Sequence, residues 1–426
     1  MNSMDNQTTI RERKPWETPT DEEQKKLPVR TAIGLVLGVM LWLGPYLGLV
    51  GVLVPQAMAR ITPDHKAGAI ALMSTCAMIV STIANIIEGA LSDRTRSKHG
   101  RRTPWIVWGS IGTAVVIVFW GQCTTVWQEV LADCVYMIFL NMIVAPLIAV
   151  IADRTAPKYR GTISSAYALG NDVGQFGGQA FASLFLPVPT TGFIILAILT
   201  AFSGPVAALF LHEKSTKDMP IEKITWKNFS HNFAFPTKNA RNFYLALIGK
   251  LCIVTATFCI SSYQLYILTD YIKLHGGAVQ KYVTLISMIM MVCSMICVLF
   301  AGPLSDKIGK RKMPVILASI VIAIGSLLPM FTNQAWIMLA YAAVAAFGKG
   351  AYDSVDQALN IEVLPDPKTA AKDLGLLNMA NNGGQVFGPV FAAAAISMVG
   401  YHGIFPIAAI TAIIGCILIV FIKNVK

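Results

Sequence analysis

Three charged residues with helical spacing lie inside an apolar stretch in the second half of the chain. Lys349, Asp353 and Asp356 follow at i, i+4 and i+7, so they share one face of a helix. Charged side chains inside a bilayer are costly and mark ion or proton pathways. Because Lys349 can pair directly with Asp353, we predict that Asp356 carries a coupling proton, with Asp172 and Asp353 as the next candidates.

Asp172 and Lys250 are charged residues inside two other apolar stretches. Asp172 lies about ten residues into its stretch, roughly 15 Å along a helix, and therefore near the middle of a bilayer. Lys250 is a candidate counter-ion for Asp172 or Asp356. In the alternative interpretation, Lys349 and Asp353 only neutralise each other, which leaves Asp172 and Asp356 without a local partner.

Polar and aromatic side chains at helical spacing form the candidate substrate site. Two amide pairs recur in the two halves of the chain, and amides suit hydroxylated substrates because each offers donors and an acceptor without a charge. Aromatic rings can stack on a sugar, although in membrane proteins they more often serve packing. The predicted substrate-binding residues are Trp42, Tyr46, Asn171, Gln175, Lys250, Tyr263, Lys349, Asn381 and Gln385.

Other reactive residues are interpreted as structural. Glu129 and Asp133 begin an apolar stretch, and we interpret them as residues of the membrane interface, like Asp270. The eight cysteines show no metal-type spacing, so no metal or cofactor is predicted. The sequence contains no H-E-x-x-H, G-x-S-x-G or nucleotide-binding P-loop motif, which argues against the commoner hydrolases and against ATP as the energy source.

Composition indicates which solvent surrounds these residues. Hydrophobic residues make up 55% of the chain and charged residues 13%, with a mean hydropathy of +0.59. A soluble domain carries about 25% charge, so this chain has too little to cover a water-exposed surface. We predict an all-α polytopic membrane protein with twelve transmembrane helices. They lie near 31–57, 68–91, 104–123, 130–151, 162–186, 191–211, 243–268, 282–302, 314–331, 335–359, 374–399 and 403–422.

The net charge of +11 follows the topology of these stretches. With both ends and every second connection on one side, that side holds 28 of the 34 lysines and arginines. The positive-inside rule then predicts cytoplasmic termini in a cell membrane. The basic residues orient the chain, and nucleic acid is not an expected partner.

The chain is internally duplicated. Gly89–Arg102 and Gly302–Lys312 both open with G-x-L-S-D, and Asp93 and Asp306 are 213 positions apart, half the chain length. GNDVGQFGG at 170–178 likewise matches ANNGGQVFG at 380–388, and both segments place small residues every fourth position, which allows close helix packing. The predicted division is a disordered cytoplasmic tail over 1–28, a six-helix bundle over 29–211, a cytoplasmic linker over 212–241 and a second bundle over 242–426.

The duplicated loop resembles the signature loop of the major facilitator superfamily. SDRTRSKHGRRTPWI is similar to the glycoside-pentoside-hexuronide cation symporters, and VDQALNIEVLPDPKTAAKDLGLLNMAN to the sucrose-transporter-like group. The resemblance implies two six-helix bundles around a central site that alternates in access. It also implies that Asp93 and Asp306 cap a neighbouring helix and pair with arginines. The gating candidates are Asp93, Arg94, Arg101, Arg102, Asp306, Lys310 and Arg311.

One departure from the resemblance concerns the coupling ion. Relatives of the melibiose type carry two acids on the second span, where this chain has Ser81 and Asn85. Hard cations prefer carboxylate oxygens, which favours protons over sodium. The predicted function is therefore proton-coupled symport of a sugar or glycoside by a monomer. The alternatives are an exporter of amphipathic compounds on the same fold, an intramembrane enzyme and a non-transporting membrane sensor.

Overall fold

Most of the residues whose conformation is described are helical. The computed structural model describes residues 18–219, 235–237, 240–308, 312–365 and 370–423, and these residues contain no β-strand. Twelve long helices, α1 to α12, run through the described residues in antiparallel order. We call the side with the two ends of the chain the termini face, and the opposite side the far face.

The first six helices occupy residues 29–211. Helix α1 contains a π-helical turn at Leu49–Leu53, and α5 contains one at Val173–Gly177. The bounds are α1 Val29–Ile61, α2 Lys66–Arg94, α3 Thr103–Trp120, α4 Val126–Arg154, α5 160–183 and α6 Pro189–Leu211.

The second six helices begin at residue 241. Helix α7 is Arg241–Ser261, and two short segments, Gln264–Tyr266 and the π-helical Ile267–Tyr271, continue it to the far face. The others are α8 Gly277–Ile308, α9 Lys312–Leu327, α10 Trp336–Glu362, α11 Ala370–Val399 and α12 Ile404–Val420.

The outer surface of the helices is apolar, as a bilayer requires. Nine described helices are long and apolar enough to cross a membrane. The other three, α5, α10 and α11, hold the predicted intramembrane aspartates and amides, whereas Lys250 lies on α7. Large side chains such as Trp108, Phe202, Phe331 and Ile410 are exposed, far beyond what a soluble protein tolerates. The predicted all-α polytopic membrane fold is confirmed.

The two halves repeat one packing pattern. In the first half α1 packs on α5 and α6, α4 on α2 and α3, and α3 on α6. In the second half α7 packs on α11 and α12, α10 on α8 and α9, and α9 on α12. Each of these five contacts of the first half therefore has a counterpart six helices later. Helices α2 with α11, and α5 with α8, form the two seams between the halves.

The glycine segments of α5 and α11 are the close-packing surfaces that their spacing predicts. A Cβ on Gly178 would lie 2.2 Å from the Gly44 carbonyl oxygen, so no side chain fits there. A Cβ on Gly384 would lie 2.4 Å from Val254, and one on Gly388 would lie 2.6 Å from Phe258. The α5 ridge thus packs on α1 and the α11 ridge on α7, each within its own half.

The segment before α1 departs from the predicted disordered tail. Gln24 donates to the Arg154 carbonyl at 3.3 Å and accepts from the Ala156 amide at 2.7 Å. The Tyr159 hydroxyl donates to the Lys25 carbonyl at 2.9 Å. Residues 18–28 are therefore held against the α4–α5 connection by hydrogen bonds between side chains and backbone that composition does not reveal. Residues 1–17 lie outside the described part of the chain.

Candidate functional site

Helix α10 carries two ion pairs at different depths. Lys250 Nζ lies 2.7 Å from Asp356 Oδ2, and the same oxygen accepts a hydrogen bond from Asn360 at 2.8 Å. Lys250 and Asp356 are both buried, so their charges are compensated within the second half. Lys349 pairs with Asp353 one turn away, as its spacing predicts, and 42% of the Asp353 side chain is exposed.

This geometry changes the expectation for Asp356. The sequence argument left Asp356 without a partner on its own helix, but Lys250 from α7 supplies one. Of the two counter-ion assignments open to Lys250, Asp356 is the one that forms. The proton-coupling roles of Asp356, Asp172 and Asp353 remain predictions.

Asp172 lies at a seam between the halves. Its Oδ2 accepts a hydrogen bond from Ser294 of α8 at 3.3 Å, and Lys349 and Asp353 act on it electrostatically. Asp172 and Lys349 lie twelve and thirteen residues into their helices, about 18–20 Å along each axis. The carboxylate ends the first segment of α5 immediately before its π-helical turn, a feature frequent at functional sites.

The two predicted amide pairs belong to different seams. Asn171 and Gln175 lie on α5, which packs on α8, whereas Asn381 and Gln385 lie on α11, which packs on α2. All four are half-buried. Next to Asn381, the unpredicted Asn382 donates to Thr82 of α2 across the second seam at 3.3 Å. The structure therefore distributes the amides over both sides of the interface between the halves.

A small cavity of about 40 Å³ lies between α1, α2, α4, α7 and α11. Tyr46 and Gln385, both predicted to bind substrate, line it together with Asp133, Ser74 and Ser262. Tyr46 also stacks on Tyr136 with ring centroids 5.7 Å apart. The cavity therefore brings one predicted residue from each half to a common space.

Two other predicted aromatic residues have different environments. Trp42 is buried in the first half, and its indole nitrogen has no hydrogen-bond partner. The Tyr263 hydroxyl donates to the carbonyls of Ala67 at 2.8 Å and Pro389 at 3.0 Å. Tyr263 thus joins the halves at the far face, although its substrate-binding role stays a prediction.

Glu129 and Asp133 are not membrane-interface residues, contrary to the sequence interpretation. Only 1% of Glu129 and 2% of Asp133 is exposed. They lie on the inner face of α4, beneath the far face, and Trp120 Nε1 donates to Glu129 Oε2 at 2.5 Å. The position of a residue near the end of an apolar stretch does not reveal which way its helix face points. The i, i+4 spacing of Glu129 and Asp133 was the one sequence signal that the two acids share a helix face.

A neutral polar network occupies the position of the missing acids on α2. Asn141 of α4 donates to Ser81 at 2.9 Å, and Asn85 donates to Asn141 at 2.9 Å. These groups satisfy one another without a charge. Across the described residues, no three His, Cys, Asp or Glu side chains converge in a way that could hold a metal ion.

The signature loop after α2 is an ion-pair network within the first half. Arg102 lies 2.5 Å from Asp93 and 3.1 Å from Asp153, and Arg101 lies 2.6 Å from Asp153. Arg101 is also 3.9 Å from Asp93. Asp153, which no sequence pattern singled out, therefore ties both arginines to the end of α4. Arg94 is exposed at the end of α2.

In this structure, whose far face is closed, Asp93 pairs with Arg101 and Arg102, and the helix cap expected of Asp93 when the termini face is closed stays a prediction. Glu213, from the segment after α6, caps α3: its Oε2 accepts from the Arg102 amide at 2.9 Å, the Thr103 amide at 2.7 Å and the Thr103 hydroxyl at 3.0 Å. A carboxylate at a helix N-terminus satisfies free amides and the helix dipole. In the second half Asp306 lies near the end of α8, but its side chain is outside the described part of the chain, as are Lys310 and Arg311 entirely.

The far face is closed by contacts between the halves. Lys66 lies 2.5 Å from Asp270, the Tyr266 hydroxyl donates to the Pro55 carbonyl at 2.8 Å, and Ser183 and Thr284 are hydrogen-bonded at 2.6 Å. Burial alone would raise the pKa of Asp270, which lies beyond the apolar part of α7. Hydrogen bonds from Lys66, Tyr401 and Thr269, with the charge of Lys66, hold that pKa below its usual value.

Solved structures with the same fold are transporters. A nucleoside transporter, NupG, superposes with a TM-score of 0.74 at 16% identity, covering 94% of this chain and 100% of that one. A bacterial homologue of the human lysosomal transporter Spinster, inward-facing and unoccupied, gives 0.69 at 16% identity, covering 93% and 96%. The human organic anion transporter MFSD10 gives 0.66 at 13% identity, covering 92% and 100%.

Sequence comparison leads to the same fold. No curated protein sequence matches this chain. The family described as Major Facilitator Superfamily matches residues 31–298 and 251–426, which together span nearly the whole chain. The chain therefore belongs to the Major Facilitator Superfamily.

Proposed function

We propose that this protein is a secondary active transporter that moves a sugar or glycoside together with protons. The observation that carries the proposal is the Asp172–Ser294 contact between the halves at the depth of the Lys349–Asp353 pair. A charged group at a moving seam has different partners in different states, so its proton affinity can follow the direction of access.

The substrate would lie between the two amide pairs. Asn171 and Gln175 would approach it from α5, and Asn381 and Gln385 from α11. Amides offer donors and acceptors to hydroxyl groups without requiring a charged ligand. The structural neighbour NupG is named as a nucleoside transporter. A nucleoside is itself a glycoside, so the substrate in that name belongs to the class proposed here. This class also agrees with the resemblance to glycoside and sucrose transporters.

The coupling roles are assigned to three carboxylates. Asp356 would exchange its proton when Lys250 is displaced, Asp172 when the α5–α8 seam separates, and Asp353 through its exposed carboxylate. The bundles would be 29–211 and 242–426, joined by the linker 212–241. The termini face would be the cytoplasmic side of a cell membrane, and the functional unit a monomer.

Proteoliposomes test the proposal directly. Competition by sugars, glycosides and nucleosides against radiolabelled uptake identifies the class, and pH-driven and sodium-driven accumulation are compared. We expect pH-driven accumulation of one class, lost in Asp356→Asn while counterflow continues. Asp64→Asn, an exposed acid at the far face, is the matched control. Accumulation driven by sodium alone, or by neither gradient, would overturn proton coupling.

A further inference from the structure

Two buried acids of α4 lack a cation. Glu129 and Asp133 are one helical turn apart and almost fully buried. Within the described part of the chain, neither makes an ion pair with lysine, arginine or histidine, in contrast to Asp356 on α10. Two like charges at i, i+4 repel even on an exposed helix, and an isolated ionised carboxylate is far more costly inside a protein.

The surrounding titratable groups do not supply a counter-charge. The titratable groups close enough to feel the charge of the two acids are Tyr46 from α1, Cys123 just after α3, Cys134 and Tyr136 on α4 itself, and Tyr266 from the extension of α7. Cys76 of α2 acts on Cys134. Phenols and thiols are neutral donors at physiological pH. The electrostatic balance therefore depends on the acids themselves.

Several polar atoms around the acids have no hydrogen-bond partner. Among the described residues, Glu129 Oε1, Asp133 Oδ1 and the Tyr136 hydroxyl are buried without a hydrogen-bond partner. Tyr136 is fully buried and interacts electrostatically with Asp133. Buried polar groups are normally satisfied by protein or water. A protonated carboxyl with a bridging water supplies both the missing donor and the missing acceptor.

Asp133 also has a route to water. It lines the 40 Å³ cavity, opposite Gln385 of the second half. Most of its lining is apolar, but Asp133, Gln385 and Ser74 give a water molecule polar partners, and the space is large enough to hold one. Glu129 does not line the cavity and lies one turn nearer the far face, where Trp120 donates to one of its oxygens. In this arrangement the Asp133 carboxyl can exchange a proton with water in the cavity. The protonation of Glu129 then sets the net charge of the two acids.

We propose that Glu129 and Asp133 form a second proton-binding site, in the first half of the chain, that holds at least one proton while the far face is closed. Asp133 releases it from its carboxyl oxygen to a cavity water, which becomes hydronium. The carboxylate that remains accepts a hydrogen bond from Tyr136. Only the link between this site and solute movement rests on the proposed function.

Difference infrared spectroscopy of the purified protein tests the site without any substrate. Titration between about pH 5 and 8 follows the carbonyl stretch of protonated carboxyl groups in wild type, Asp133→Asn, Glu129→Gln and the control Asp64→Asn. We expect a buried carboxyl band that disappears in Asp133→Asn, changes in Glu129→Gln and persists in Asp64→Asn. A band unchanged in both α4 variants, or displaced by sodium, would overturn the assignment.

A transport arm separates this site from the proposed function. In proteoliposomes, Asp133→Asn should lose pH-driven accumulation while keeping counterflow, and Asp133→Glu should restore part of the accumulation. If no sugar, glycoside or nucleoside is transported by wild type, the proposed function fails, but the infrared result still decides the site. Full pH-driven accumulation in a folded Asp133→Asn would limit the pair to a structural role and refute the proposal.

Discussion

The two halves share one helix-packing pattern but treat their buried acids differently. In the second half, Asp356 and Asp353 each have a lysine partner. In the first half, no lysine, arginine or histidine among the described residues pairs with Glu129 or Asp133, and the donor to Glu129 is the neutral indole of Trp120. The comparison shows that duplication preserved the scaffold and left the charges free to diverge, because packing depends on small residues and shape, whereas charge balance depends on a few side chains.

The strongest test of this difference between the halves is to remove the cation from the buried Lys250–Asp356 pair. Lys250→Met leaves Asp356 buried and uncompensated, and we expect it to destabilise the fold by about 3–5 kcal/mol. Lys349→Met, whose partner Asp353 is well exposed, should cost about 0–1 kcal/mol. Thermal unfolding of the purified variants measures both.

The double variant Lys250→Met/Asp356→Leu is the internal control. It removes both buried charges, so most of the lost stability should return. Equal melting temperatures for Lys250→Met and Lys349→Met would show that the buried pair is no more important than the exposed one, and the contrast between the halves would lose its basis.

The glycine ridges sharpen the comparison in the packing itself. In Gly384→Ala the new Cβ meets Val254 at 2.4 Å, whereas in Gly174→Ala the nearest atom, Leu43 Cβ, is 3.3 Å away. We expect Gly384→Ala to cost about 1–3 kcal/mol and Gly174→Ala less. Gly375→Ala, with nothing within 4 Å, is the control. Size-exclusion profiles and melting temperatures report the order; the reverse order would contradict the tighter packing at Gly384 than at Gly174, its counterpart on α5.

The Glu213 cap tests the termini face of the first half. Glu213→Ala removes the acceptor for the Arg102 and Thr103 amides, and we expect a loss of about 1 kcal/mol with faster amide exchange in the first turn of α3. Glu213→Gln keeps an acceptor oxygen and should lose less. Unchanged exchange in Glu213→Ala would mean that solvent replaces the cap without cost.

The smallest effect is expected at the far face, from pH. The pKa of Asp270 is lowered in the closed state, so its contribution to closure is fully present above the ordinary value of 3.8 and is lost as pH falls through the lower value. Labelling of a cysteine introduced at Gln56, divided at each pH by the labelling of the same variant after denaturation because only the thiolate reacts, should therefore not change between about pH 5 and 8. Increased labelling below pH 5 in wild type but not in Asp270→Asn would show that Asp270 titrates higher than its contacts indicate.

The sequence was enough to predict the fold because the relevant signals are local. Apolar length, charge placement and the repeated G-x-L-S-D and glycine segments do not depend on which helices meet. They predicted twelve helices, the duplication and the Lys349–Asp353 pair, all of which the structure contains. The i, i+4 rule works for that pair because both residues lie on one helix.

Tertiary structure decided every contact between helices. Lys250 and Asp356 are 106 positions apart, and no local pattern distinguishes their pairing from one with Asp172. The same holds for Glu213 capping α3 and for Asp153 binding the loop arginines, since each depends on where distant helix ends meet.

The sequence by itself thus determined that a lipid bilayer surrounds this protein and that the chain is helical. It also identified the charged residues whose burial in a membrane costs too much free energy to be accidental. Only the tertiary structure decided which of those residues are neutralised. Helix periodicity places a side chain on a face, but the rotation of the helix in the bundle determines whether that face meets lipid, a partner charge or a cavity. For Asp133 that rotation replaced an expected membrane-interface position with a buried one beside Tyr136 and a water-sized cavity.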